Sequence, residues 1–412
     1  MSPLRISFIR VKLRQMRSYH EVSYQTIGDP IDVLKYRKTS KQMPLSDDVV
    51  HVQMIHAPWN PADVNTVQGK YPSPVPVRPK DLGGAKQLVD VSRTSRQFDG
   101  CSVAGSEGWG RVVAASGSSS PMEGELVTMG LPGMGTMTSD LIVPSTSLLP
   151  LGDKGEAVFH QLGPSGSSLF QLGGTALQML TNFASLTDYA GGSKEGGHVV
   201  IQNAGTSGVA LLTSQLASVL FKMPVVSIVR RGRKTSAQYE ELIHHLLSTG
   251  KNSLVVAEED LMNGRAPLKD FQVKLRDLSS THQLPILALN AVGGPSSSIL
   301  LKCLEPGGTM VTYGGMSQKP VQVSTPQLIF KNVHVVGYWH SRWMVENHQG
   351  QQRQKKIAMI NTLMDAVLHH DIKCPPARTF GLSEIDEALR WNKERTRQPE
   401  SIRQKLVFDC GE

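Results

Sequence analysis

Two stretches carry residue types whose order points to phosphate chemistry. Residues 198–203 (HVVIQN) form a short apolar run of strand type, and Ala204-Gly205-Thr206-Ser207-Gly208-Val209-Ala210 follows directly. A turn of small residues there lets backbone N–H groups at a helix start face a pyrophosphate, with the helix dipole favouring the anion. The strict glycine fingerprint is not kept, because Ala204, Ser207 and Ala210 stand where glycine is common. Alone, a small-residue turn before any buried helix would look alike. The second stretch discriminates between cofactors. Dinucleotide sites for NAD carry an acid roughly 20 residues after the turn, on the ribose hydroxyls. Here the strand VVSIV ends in Arg230-Arg231-Gly232-Arg233-Lys234, with Ser227 upstream. Guanidinium groups bind a 2′-phosphate that a carboxylate would repel, so the expected cofactor is NADPH. A solvated basic loop after a strand is the plain alternative.

The elements that must position these residues alternate from about 197 to 339. Helical spacing of Leu212, Leu216, Val219 and Leu220 predicts a helix over 209–223. Leu242, Ile243, Leu246 and Leu247 predict another over 236–248, with Gly250 as its stop. Residues 224–230, 253–257, 285–292, 309–313 and 333–337 read as strands. Strands apolar on both faces and separated by helices imply a parallel sheet covered on two sides. The expected fold class is therefore α/β, with a Rossmann-type doubly wound parallel sheet. Residues 21–160 are rich in Val, Gly and Pro and suit a smaller β domain. A helix is expected over 353–370 and a strand at 405–408 (KLVF), so the nucleotide domain reads as an insertion between two halves of the β domain.

Charge and composition narrow the classes. The chain has 412 residues, enough for two or three domains, and a net charge of +8. Arg5, Arg10, Lys12, Arg14 and Arg17 supply five of those charges before the first acid, Glu21, with apolar residues between them. That pattern matches a mitochondrial leader, here assigned to residues 1–20, and a matrix location. With the leader set aside, Arg230, Arg231, Arg233 and Lys234 are the one dense basic cluster left, and no other block reads as a continuous stripe that tracks nucleic acid. No apolar run reaches the ~18 residues of a membrane span. Cys101, Cys303, Cys374 and Cys410 are far apart, which suits neither a disulfide scaffold nor a structural zinc site.

Three stretches carry a family resemblance: 60–72 (NPADVNTVQGKYP), 201–209 (IQNAGTSGV), and 287–316 with 328–343 (LIFKNVHVVGYWHSRW). Together they resemble the medium-chain dehydrogenase/reductase superfamily and, within it, the mitochondrial trans-2-enoyl-thioester reductases of fatty acid synthesis. The resemblance implies a GroES-like β-rich catalytic domain over 21–174 and 344–412, with the Rossmann domain at 175–343. It also implies a homodimer and substrates carried on acyl carrier protein or CoA. Zinc-dependent relatives have a Gly-His-Glu segment where this chain has Gly105-Ser106-Glu107-Gly108, and no ligand cysteine stands near Asn60–Asp63. No metal is expected.

Residue by residue, the resemblance makes Tyr71 the acid that protonates Cα of the enoyl thioester; a phenol is reliably protonated at neutral pH. Thr206, Ser207, Gly208 and Val209 match the pyrophosphate turn. Arg230, Arg231 and Gly232 fall on an Arg-Asp-Arg phosphate clamp, of which only the first arginine is kept, and Arg233 is the substitute for the second. Tyr313, Gly314, Gly315 and Met316 are expected beside the nicotinamide. Tyr338, Trp339 and His340 match a Phe-Trp-x segment at the pocket, and Arg403 stands where a lysine contacts cofactor phosphate. Two departures stand out. Leu172 replaces an asparagine able to touch cofactor, and 80–103 is longer than the family's segment. The competing readings are a zinc-free NADPH quinone oxidoreductase and a non-catalytic NADPH- or RNA-binding regulatory protein.

Overall fold

The apolar runs in the middle of the chain assemble into one six-stranded sheet. Its order is Leu254–Ala257, Val225–Val229, Val200–Gln202, Leu287–Asn290, Thr309–Thr312, His334–Gly337. Every pairing is parallel. Val225–Val229 and Leu287–Asn290 are buried at each residue, as required of strands with helices on both faces. The chain builds outward from Val200–Gln202 to one edge, then restarts beside it with Leu287–Asn290. The order reverses between these two strands, and the crevice at their C-terminal ends is where such sheets take ligands. Asn203 and Asn290 join across it, Nδ2 to Oδ1 at 2.8 Å. Asn290 Nδ2 in turn donates to Thr312 Oγ1 at 3.1 Å.

This computed structural model describes residues 17–41, 49–71, 101–115, 121–184, 197–395 and 404–411. Sequence from both ends builds the second sheet, ordered Ala377–Gly381, Lys405–Asp409, Val49–Pro58, Trp109–Ala115, Leu126–Met129, Leu148–Pro150. Asp140–Pro144 pairs with Val49–Pro58 as well. Alternation drives that long strand: Val50, Val52 and Met54 are buried, whereas His51 and Gln53 are not. A third sheet of Lys35–Lys41, Arg17–Tyr24 and Ser102–Val103 lies in the same half.

The helices Leu169–Ala184 and Arg353–His370 pack into a core shared by both large sheets, with Trp109 and Leu126 from one and Val200 and Leu287 from the other. For that reason the expected domain boundaries at 174 and 344 fall inside continuous helices, Leu169–Ala184 and His340–Glu346. The expected leader overlaps an ordered element. Residues 17–20, set aside as leader, belong to the strand Arg17–Tyr24, with Tyr19 buried. A basic strand with alternating apolar residues has the same composition as a leader's end. Residues 1–16 lie outside the described residues. No helix among the described residues is long and apolar enough to cross a membrane.

Candidate active site

Tyr71 hangs from the short helix Pro61–Val67. Proline at its first position and Asn60 ahead of it start the helix, and the Asn60 N–H donates to Asp63 Oδ2 at 2.8 Å. Past the helix, the N–H groups of Lys70 and Tyr71 both donate to the Asn65 carbonyl, at 2.8 and 3.2 Å. The tyrosine is thereby fixed relative to the helix. Its half-buried ring meets Trp339 edge-on, with centroids 5.4 Å apart and planes at 82°. Burial pushes the phenol pKa up; the Ser341 hydroxyl works against that, and Asp63 adds to it by charge. Arg342 stacks over the other part of this cluster, its guanidinium carbon 5.1 Å from the Trp339 ring centre.

Trp339 comes from the opposite sheet. It follows His334–Gly337, and the Tyr338 N–H donates to the Thr312 carbonyl at 3.0 Å, so the loops after the two last strands run side by side. Tyr313 lies on the neighbouring loop, its phenol buried near Ser207 and pushed up to about 12 by burial. Gly314 is needed where it stands, because a Cβ there would come 3.2 Å from the Ala291 carbonyl; Gly315 faces open space and Met316 is exposed.

On the other side of the crevice, Ala204 takes φ of +50° and Gly205 passes so close to the next strand that a Cβ would meet Ser227 at 2.7 Å. Ser207 caps Gly208–Phe221, accepting from the Ala210 N–H at 3.3 Å. Thr206 and Val209 flank that cap, half-buried. The N–H groups of Gly208 and Val209, first in the helix, have no intrahelical acceptor and are available to an anion. Leu172 fills the back of the turn: a Cβ at Gly208 would touch its Cδ1 at 2.7 Å. Leu172 thus packs on the turn and offers it no hydrogen bond.

No family model matches the chain. A curated relative from Xenopus tropicalis, a mitochondrial enoyl-(acyl-carrier-protein) reductase, is 32% identical over 369 residues, covering 89% of this chain and 90% of its own. The chain belongs to the mitochondrial enoyl-(acyl-carrier-protein) reductase family. Two solved structures share the fold at 22% identity, TM-score 0.74, with 96% of this chain and 100% of theirs covered. They are the mitochondrial 2-enoyl thioester reductase Etr1p/Etr2p heterodimer from Candida tropicalis and the Etr1p/NADP/crotonyl-CoA complex.

Within this enoyl reductase frame, not every expected site residue is free to act. Arg231 is already engaged within the chain. Its guanidinium makes two hydrogen bonds to the Asp260 carboxylate, at 2.9 and 3.3 Å, and lies over the Tyr239 ring. The N–H groups of Arg231 and Gly232 are both taken by Glu259, each at 3.0 Å. Two acids from the neighbouring strand's end thus hold this part of the turn. Arg230 and Arg233 are exposed and without an ion-pair partner among the described residues. His340 is buried, stacked on Trp343 and packed against Gly174, and burial pushes its pKa down to about 3. Its Nδ1 pairs with the Tyr338 hydroxyl at 2.9 Å, which turns both side chains toward the packing between the sheets. Arg403 and the segment 72–100 lie outside the described residues.

A buried polar cluster behind Tyr71 was not assigned from sequence. Asp63 and Glu107 are 2% and 4% exposed. Ser106 Oγ donates to Asp63 Oδ1 at 2.7 Å, Asn60 Nδ2 to Glu107 Oε2 at 3.1 Å, and the Gln171 N–H to Glu107 Oε1 at 2.6 Å. Lys405 Nζ reaches Asn60 Oδ1 at 2.5 Å. The one available signal was a pair of acids, at 63 and 107, inside otherwise small and apolar stretches.

Proposed function

We propose that the chain is an NADPH-dependent reductase of trans-2-enoyl thioesters, acting in mitochondrial fatty acid synthesis. The contact of Tyr71 with Trp339, at the C-terminal rim of the parallel sheet, carries this reading. The residues present fit the dinucleotide. Thr206, Ser207, Gly208 and Val209 would hold the pyrophosphate at the helix start, and Arg230 with Arg233 the 2′-phosphate. The loop Tyr313–Met316 would lie along the nicotinamide. When bound, NADPH supplies a hydride for Cβ of the enoyl thioester. Tyr71 supplies the proton for Cα. Its burial keeps that proton on oxygen between turnovers, while the Ser341 hydroxyl favours the phenolate left after transfer.

The thioester would arrive on acyl carrier protein or on CoA. The edge strand His334–Gly337 is exposed, with Phe330 80% exposed beside it, and supports a dimer of two copies of this chain. The test is NADPH oxidation by the full chain with a trans-2-enoyl-CoA. Turnover with enoyl-CoA and preference for NADPH over NADH are the expected results. Turnover with a quinone but none with enoyl-CoA would replace this reading with the quinone reductase one.

A further inference from the structure

Lys405 opens the strand Lys405–Asp409, whose residues Val407 and Phe408 pair with Pro58 and Ala57. The Trp59 N–H donates to the Leu406 carbonyl at 2.9 Å, so backbone and ammonium both converge on the residues that start the Tyr71 helix. Asn60 is held at every polar group. Its Oδ1 accepts from Lys405, its Nδ2 donates to Glu107, and its N–H donates to Asp63. Glu107 extends the chain of contacts to Gln171, in the helix shared by both sheets. The path therefore links the C-terminal strand, the Tyr71 segment and the helix shared by both sheets.

We propose that Lys405 is a positioning residue of the reductase, whose ammonium fixes Asn60 and through it the orientation of Tyr71 against Trp339. This rests on the reductase reading above. Charge supports the geometry. Glu107 and Asp63 face Lys405 with opposite sign and Arg395 with like sign. Burial pushes both carboxyl pKa values up and the lysine pKa down, and the attraction between ammonium and carboxylates works against that at all three groups. Without the ammonium, Asn60 loses its Oδ1 donor and the carboxyl pair loses its cation. Asn60 is then free to rotate, and the helix it starts carries Tyr71.

The experiment is a double-mutant cycle between Lys405→Met and Tyr71→Phe in the full chain, measuring kcat and KM with trans-2-enoyl-CoA and NADPH. Lys405→Met alone is expected to lower kcat about tenfold or more with KM for NADPH changed less than about twofold. In the Tyr71→Phe background the same substitution should add little, because it acts through the phenol. A loss of equal size in both backgrounds would overturn the proposal, since general destabilisation is blind to Tyr71. Lys405→Met/Glu107→Gln replaces the ammonium and one of its two buried carboxyl neighbours with isosteres and covers the case in which the single variant does not fold. It should fold and still lose kcat; full kcat in that variant would also overturn the proposal. Absence of enoyl-CoA turnover in the unmodified chain would instead remove the reductase reading itself.

Discussion

A phenol that must give up a proton while buried needs neighbours that tolerate the anion. Ser341 is such a neighbour for Tyr71, and it comes from the opposite half of the molecule. Tyr71→Phe is expected to lower kcat by about 10²–10⁴, the usual share of a general acid, with NADPH affinity unchanged by fluorescence titration. The arginines divide by the same accounting of partners. Arg230→Ala and Arg233→Ala should each raise KM for NADPH about tenfold and leave KM for NADH alone, as loss of a charged hydrogen bond implies. Arg231→Ala should change KM for NADPH less than about threefold, because Asp260 already holds that side chain. Tyr71 and Trp339 were legible because each sits in a distinctive stretch. Adjacent arginines of one type were not separable, since Asp260 lies 29 residues further on. Lys405 was illegible for a related reason: a lysine opening an apolar strand looks like any solvated strand end, and its partner is 345 residues away.

Helices over 236–248 and 353–370 stand where the apolar spacing put them. Periodicity could not show which face of the second one would bury a cation. Lys356 is wholly buried there, its Nζ donating to the Gly130 carbonyl at 2.5 Å, with His348 Nδ1 at 3.4 Å. Burial, with Arg353 adding to it, pushes its pKa down to about 7. The unfolded chain has its lysines near 10.5. Between these two values the unfolded state binds more protons than the folded one, so the contribution of Lys356 to stability rises with pH. It is fully present above the unfolded value and is lost as pH falls through the folded one. Urea midpoints at about pH 7 and about pH 9.5 should therefore rise more in the unmodified protein than in Lys356→Met, by up to ~1.4 kcal/mol per pH unit. Equal slopes would refute this.

At the scale of the molecule, alternation and strand count were enough to separate a parallel sheet from a β-rich half, but not to draw the line between them. The shared core of Trp109, Leu126, Val200 and Leu287 has no sequence marker, because each residue reads as ordinary core of its own strand. The open edge is a different matter. Leu328, Ile329, Phe330 and Val335 expose apolar surface beside unpaired backbone groups of His334–Gly337. Two copies meeting across a twofold axis there would continue one sheet through both. Sedimentation velocity should report a dimer, and Phe330→Asp/Val335→Lys should shift it to monomer; an unmodified chain that is monomeric at micromolar concentration would sink the idea.

Lys405–Asp409 lies between Ala377–Gly381 and Val49–Pro58 in its sheet, so a strand made early waits for one made late. A chain threaded N-terminus first through a narrow channel would emerge with Val49–Pro58 lacking that neighbour until residues beyond 405 had passed. Closing so long a loop is slow, and an apolar edge left open in the meantime invites wrong pairing. The last strand thereby acts as a checkpoint on delivery: no partly threaded molecule can reduce anything, and each must be shielded until the whole has arrived.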